Sequence, residues 1–240
     1  MPKINLISAS RERPLRMAKT ILKWYNCSSD PSNIEFIISI DNSDPCLEKY
    51  KKIIKNNTKT ENDIKIRLLV NDNKNTVQAI NSAKDYINGD IIFIISDDTD
   101  CFDGWDTEII NVCPKGGYYI IKTNDGMGKD LITMPIFSRE YLDSKDYIYY
   151  PEYEHMFCDT DLTCVSYLEG SVIEANDITF NHLHYTRGYH KKDNNDLKNQ
   201  LTFYTGMEIF KNRLSINFGV SEDYTKGEIP KNIIDFVNSY

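Results

Sequence analysis

The chain has 240 residues, 40% hydrophobic and 12% aromatic, and a formal net charge of −8 from 28 Lys+Arg and 36 Asp+Glu. That length fits one large domain, or one domain with a small appendage, and the apolar content excludes a disordered chain. The acidic balance argues against nucleic acid as a partner, because binders of phosphate backbones carry a basic stripe. No apolar run reaches the roughly 18 residues a transmembrane segment needs, and the opening MPKINLISAS lacks a basic-then-apolar leader. A cytoplasmic protein is expected. Its cysteines, at 27, 46, 101, 113, 158 and 164, form no CxxC pair, so a zinc ribbon or redox motif is not expected and reduced thiols are.

Residues 4–8 are a short apolar run, as in a buried strand, and lead into Ser-Arg-Glu-Arg-Pro, whose Pro14 suits the first turn of a helix. Leu15, Ala18, Ile21, Leu22 and Tyr25 then recur at helical spacing. Residues 34–40 form a second strand ending in Asp41-Asn42-Ser43-Asp44-Pro45, 47–54 a helix, and 64–70 a third strand. A helix over 76–87 turns Val77, Ile80, Ala83 and Ile87 inward, with Gly89 as its C-cap. The fourth strand, 91–95, runs into Ser96-Asp97-Asp98-Thr99-Asp100. Beyond residue 100 the alternation weakens. Strands are predicted at 118–122, 132–137, 172–174 and 178–184, a turn at 125–128, helices at 139–142 and 159–168, a helical pattern over 197–214, and a loosely patterned tail from 221 to 240.

Four strands alternating with helices predict an α/β fold, a mostly parallel sheet with helices on both faces and right-handed crossovers. In such sheets ligands bind beyond the carboxyl ends of the strands. The polar clusters at 8–13, 41–44 and 96–100 all lie at strand carboxyl ends, so three independent segments converge on one edge. Adjacent carboxylates such as Asp97 and Asp98 repel each other, and a hard divalent cation holding a diphosphate, or a sugar hydroxyl, would satisfy them. A solvated turn is the competing reading.

The run Gly89-Asp90-Ile91-Ile92-Phe93-Ile94-Ile95-Ser96-Asp97-Asp98 resembles the metal-motif segment of GT-A glycosyltransferases, particularly family 2, with Ser96 at the first position of the family's Asp-x-Asp. The resemblance implies a GT-A (Rossmann-like) sheet in which Asp98 is a metal ligand and Asp97 lies near the ribose or donor sugar; Asp98-Thr99-Asp100 is a second register of the motif. Phe102-Asp103-Gly104-Trp105-Asp106 is similar to the family's following helix start. The strand-loop at Ser8, Ser10 and Arg11, the strand end at Asp41, and the loop and helix from Asn73 to Asn81 resemble the segments that bind the nucleotide. The match covers roughly residues 4–110.

In the second half, Cys158-Asp159-Thr160-Asp161-Leu162 resembles the family's acidic acceptor motif, with Cys158 where a Glu is usual. Asp159 is then the general base that takes the acceptor hydroxyl's proton, unless Asp161 fills that role; Asp159 also suits a helix cap. His182 and His184 lie two apart on a predicted strand and so face one side, where the family implies a late metal-ligating His; either one fits. Arg187 or Lys191 would place positive charge near the leaving diphosphate. Tyr118, Tyr119, Tyr147, Tyr149, Tyr150 and Tyr153 suit either sugar contacts or half-buried strand positions.

The expected function is a metal-dependent (Mn²⁺ or Mg²⁺) inverting transfer of a sugar from a nucleoside diphosphate-sugar to a glycan or other hydroxyl acceptor. The expected organisation is a GT-A domain over 1–190 (a nucleotide-binding half, 1–100, and an acceptor-binding half, 101–190) and a C-terminal helix and tail over 191–240. Three rivals stand: a degenerate GT-A domain that binds without turnover, a nucleotidyltransferase, which would want a glycine-rich loop that residues 8–14 lack, and a metal hydrolase, which would want more than four His. Oligomeric state is left open.

Overall fold

The computed structural model describes residues 1–57, 64–126, 130–183, 185, 188–189 and 191–240. In chain order the strands and helices are β1 (Ile4–Ala9), α1 (Pro14–Asn26), β2 (Ile34–Asp41), α2 (Leu47–Asn57), β3 (Ile66–Asn71), α3 (Thr76–Asn81), β4 (Ile91–Ile94), β5 (Thr99–Asp100), α4 (Trp105–Val112), β6 (Ile120–Asn124), β7 (Ile136–Ser138), α5 (Arg139–Asp143), α6 (Cys158–Leu168), β8 (Val172–Thr179), β9 (Asn181–His182), α7 (Asn194–Leu201), α8 (Phe203–Ser215) and α9 (Lys231–Asn238). A seven-stranded sheet has the order β3-β2-β1-β4-β7-β6-β8, and β5 pairs with β9 in a second, two-stranded sheet.

The first four strands are parallel, with Ile4 opposite both Ile34 and Ile91 and Phe36 opposite Ile66. Both faces of β1, β2 and β4 are covered, while β3 is the half-exposed edge. Along β1 and β2, Ile7 and Ile37 turn to the core shared with α3 and α6, while Leu6 and Phe36 turn to the core shared with α1 and α4. A strand buried on two faces needs a continuous apolar run rather than alternation, which is why these segments read so plainly. The mostly parallel α/β sheet predicted from the sequence is the observed architecture.

The structure corrects several local expectations. The helix over 76–87 stops at Asn81, continuing as a 3₁₀ turn at Lys84–Tyr86. Asn81 spends its side chain on the backbone of Ile148 and Tyr149 (3.0 and 2.8 Å), and the Ser82 hydroxyl bonds back to the Ala79 carbonyl, so both compete with helix continuation. Gly89 is not a C-cap. Its N–H donates to Asn5 Oδ1 at 2.6 Å, and a Cβ there would lie 2.9 Å from Asn5 Oδ1 and the Lys3 carbonyl, so close backbone approach demands glycine.

The strand predicted at 132–137 shrinks to β7, antiparallel to both β4 and β6; the segment before it contains Pro135, which lacks an N–H, and is tied instead through Ile132 to the Thr163 hydroxyl. The strands at 172–174 and 178–184 become one long β8, with an irregularity opposite Thr123 and Asn124, followed by the two-residue β9. The pattern over 197–214 divides into α7 and α8 at Thr202. The tail carries α9, whose Ile233 and Val237 enter the same core as Met207 and Phe210 of α8. No helix among the described residues is long and apolar enough to cross a membrane.

Candidate active site

The 96–100 turn at the end of β4 is set on an aromatic base. Phe180 is fully buried and stacks on Trp24 (centroids 5.3 Å) and Phe102 (5.4 Å). The Trp24 indole N–H donates to the Thr99 carbonyl, and the Trp105 indole N–H to the Trp24 carbonyl at 2.9 Å. Gly104 precedes α4 at φ 78, a left-handed conformation that glycine adopts without strain. This base fixes β5 against β9, with Thr99 opposite His182, and the Leu183 N–H donates to the Asp98 carbonyl at 2.7 Å. The ladder therefore delivers His182, from late in the chain, to Asp98: Nε2 lies 3.2 Å from Oδ1. The Ser96 hydroxyl also bonds to Asp98.

Burial alone would raise the Asp98 carboxyl and lower the His182 imidazole. Their mutual contact, aided for Asp98 by Ser96, reverses both, holding Asp98 well below the usual carboxylate range and His182 above its own. The electrostatic neighbours of His182 include Asp125 and Asp159 as well as Asp98. Asp125 is 1% exposed, accepts a hydrogen bond from Thr133, and takes the His182 N–H on its carbonyl. Sequence reasoning missed it, having treated 125–128 only as a turn; the signal was a carboxylate immediately after a buried strand.

Asp159 stands in the first turn of α6, after Phe157 in the left-handed region at φ 72. A non-glycine residue held there stores strain that its surroundings must over-determine. Gly206 of α8 helps to do so, since a Cβ on it would fall 2.5 Å from the Met156 carbonyl and 3.0 Å from the Phe157 ring. The Asp159 carboxylate accepts the Thr160 N–H at 2.8 Å, and Thr163 ties the same turn to Ile132. Burial pushes the Asp159 carboxyl up despite these bonds, toward a base that can hold a proton.

Asp161 faces elsewhere. It is clamped bidentately by Arg213 (2.8 and 3.1 Å) and accepts the Tyr153 hydroxyl, which commits it to packing α6 on α8. A cavity of about 380 Å³ lies on that side of α6, lined among others by Tyr147, Tyr150, Lys145 and Arg213. Tyr119, Tyr149 and Tyr153 are buried core residues. Cys158 is also buried in the core.

The residues expected on the nucleotide side lie toward the carboxyl edge of β1–β4. Ser10 Oγ bonds to Asp97 Oδ2 (2.9 Å) and to the Tyr50 hydroxyl (2.8 Å). Burial lifts the Asp97 carboxyl to about 6, against the pull of Arg13, whose Nη1 is 3.3 Å away. Arg11 reaches Asp41 (3.5 Å) and Ser43 (3.3 Å) and is partly exposed. Asn73 donates to Ser39, which shares a polar bed with Ser82 and, through it, Asn71. Ser8 is fully buried in β1, its hydroxyl directed to the Ala9 carbonyl. Arg13 was not singled out from the sequence, although it contacts Asp97; its other partners lie some 180 residues along the chain, beyond any local pattern. His184 and Arg187 lie outside the described residues, and Lys191 is exposed.

The acidic stretch from Asp97 to Asp106 is not one electrostatic patch. Asp106 turns inward and takes the N–H groups of Ser29 and Asp30 and the Ser28 hydroxyl at 2.7–2.9 Å. Asp100 lies 3.9 Å from Lys23. Asp98 and His182 are left as the pair whose chemistry could suit a metal ion. A carboxylate oxygen and an imidazole nitrogen this close can occupy neighbouring positions on one divalent cation, the rest of the shell falling to ligand and water oxygens. Among the described residues no group of three or more His, Cys, Asp or Glu is placed to hold a metal, so the protein's own donors fit a partial shell.

A family model described as glycosyl transferase family 2 matches residues 12–136. Among solved structures, the chain superposes on the mannosyltransferase PcManGT of Pyrobaculum calidifontis, determined in complex with GDP-Man and Mn²⁺, with a TM-score of 0.67 and 11% identity over 99% of this chain and 68% of that one. It superposes on S. aureus TarS 1-349 in complex with UDP-GlcNAc with a TM-score of 0.66 and 12% identity over 92% of this chain and 68% of that one. No curated protein sequence matches it.

Proposed function

The chain belongs to glycosyl transferase family 2 and is a glycosyltransferase of GT-A fold, and from that premise we propose a metal-dependent, inverting transfer from a nucleoside diphosphate-sugar to a hydroxyl acceptor. The observation that carries the reading is the meeting of Asp98 with His182 at 3.2 Å, beside a half-buried Asp159 that neighbours the same imidazole electrostatically. Support for a nucleotide-sugar donor comes from the ligands of the two superposed enzymes.

In this reading the carboxyl edge of β1–β3 takes the nucleoside. Arg11 and Asp41 offer a donor and an acceptor to the base and ribose, Asn73 closes the far side, and Ser8 and Ser10 shape the floor. Asp97, anchored by Ser10 and Arg13, lies toward the ribose or donor sugar. Asp98 and His182, with His184 as the alternative imidazole, would hold Mn²⁺ or Mg²⁺. When bound, that ion supplies positive charge offsetting the diphosphate's.

Asp159 removes the acceptor hydroxyl's proton as that oxygen attacks the anomeric carbon from the face opposite the diphosphate. One bond forms as the other breaks, and no enzyme-bound sugar is needed. The Arg213 clamp on Asp161 favours Asp159 for this role. Six unpaired thiols suit a reducing, cytoplasmic setting. The test is calorimetry with UDP and GDP, with and without MnCl₂, followed by donor consumption with an acceptor panel. Binding that depends on both Mn²⁺ and Asp98 supports the reading; no binding of either nucleotide rejects it.

A further inference from the structure

Arg13 is the entry residue to α1, and its side chain is 15% exposed. Its guanidinium meets three carboxylates from two distant parts of the chain. Nη1 faces Asp97 (3.3 Å), Nε and Nη2 fork onto Asp193 (2.7 and 2.6 Å), and Nη2 also meets Asp196 (2.7 Å). Asp193 and Asp196 are the two halves of the capping box that begins α7, and Asn195 donates to the Arg11 carbonyl at 2.7 Å. The start of α7 is thus seated on the loop after β1.

The chain between β9 and α7 is fastened at both ends to one turn. At one end β9 pairs with β5 and Leu183 bonds to Asp98. At the other, Arg13 joins Asp193 and Asp196 to Asp97. Without the arginine, three carboxylates would face one another; Arg16 lies 3.8 Å from Asp97.

We propose that Arg13 is a positioning residue that makes the docking of α7 a condition for the geometry of the 96–98 turn, and through it for donor binding. The donor arm rests on the function proposed above; the coupling of α7 to the turn does not. The planar fork of arginine matters, because an ammonium cannot serve three carboxylates in one plane.

The test uses the full chain with Arg13→Gln, Arg13→Lys, Asp193→Asn and Asp196→Asn, and with Lys198→Gln on exposed α7 surface as a control. Hydrogen–deuterium exchange is followed at 194–201 and at 96–101, and Kd is measured for UDP and GDP with MnCl₂. Thermal melts establish that each variant is folded. In Asp196→Asn and Arg13→Gln, exchange should rise about tenfold or more at both segments, as a lost buried charged contact predicts, and nucleotide Kd should weaken about tenfold, with Arg13→Lys intermediate.

Loosening of α7 with 96–101 unchanged would overturn the proposal, as would variants that leave both segments protected. If both segments loosen while nucleotide Kd is unchanged, the donor part falls. If the unaltered protein binds neither nucleotide, the donor reading fails, while the exchange data still decide the coupling.

Discussion

The half of the molecule built on β1–β4 and the half built on β6–β8 are held together in different ways. In the first, strands of four to eight residues pair in parallel register, with apolar side chains on both faces. Its stability is spread over many similar contacts, and polar groups are left for the carboxyl edge. In the second, the strands are shorter or irregular, one runs against its neighbours, and single polar ties set the geometry: Asn81 on the 148–149 backbone, Thr163 on Ile132, Arg213 on Asp161. Distributed burial tolerates individual losses; a structure hung on a few buried polar ties does not. The proposed base stands in the second half, where precision is carried by single residues.

Four substitutions would break or sharpen that contrast. The largest effect is expected for Asp159→Asn, which should cost at least about 10³-fold in turnover, the upper part of the range for general base catalysis, while UDP or GDP affinity is retained. Product formation beside calorimetry checks this, and surviving turnover would move the base elsewhere. Next is Arg213→Met. It leaves the Asp161 carboxylate, 3% exposed, without its cation, and should cost about 3–5 kcal/mol, a loss that Asp161→Leu in the same chain should largely reverse. Urea denaturation of the single and double variants measures it.

Asp106→Ala should cost about 2–3 kcal/mol through its lost charged hydrogen bonds. This carboxyl is buried, which would raise it, but the Ser29 and Asp30 N–H groups and the Ser28 hydroxyl prevail and hold it below its ordinary value. Its contribution is therefore fully present above the unfolded value of about 3.9 and is lost as pH falls through the lower folded value. The difference between variant and parent should shrink between pH 7 and pH 3.

The smallest effect is expected for Gly206→Ala. In an open helix position this change stabilises by about 0.5–1 kcal/mol; here the added methyl meets the Met156 carbonyl at 2.5 Å and should destabilise by about 1–3 kcal/mol. Because Met156 and Phe157 precede Asp159, the proposed base, kcat should fall more than donor affinity.

The same contrast explains what was legible in the sequence. The doubly buried strands announced themselves as apolar runs, and their polar ends marked the sheet edge where ligands are expected. Asp98 and His182 were both singled out, and the structure brings them together. Arg13 was passed over because one arginine before a helix carries no local mark of partners at 193 and 196. The inward turn of Asp106 was not legible, because sequence does not show a side chain reaching a loop 77 residues earlier. The division of 197–214, the early end of α3 and the existence of α9 all depend on tertiary contacts, which override a periodic pattern.

The strand order β4-β7-β6 reverses the order in which a ribosome delivers those strands. A nascent chain ending near residue 100 already holds four strands that can pair with one another. The next long strand to emerge, β6, finds no seat at the growing edge, because its place lies beyond a strand not yet made. Its own edges stay open until β7 arrives on one side and β8 on the other. Biogenesis of this half is in this sense deferred: an interval of synthesis exists in which β6, with Ile120 and Ile121, has no strand on either side, and it is there that a chaperone or a misfolding partner has its opportunity.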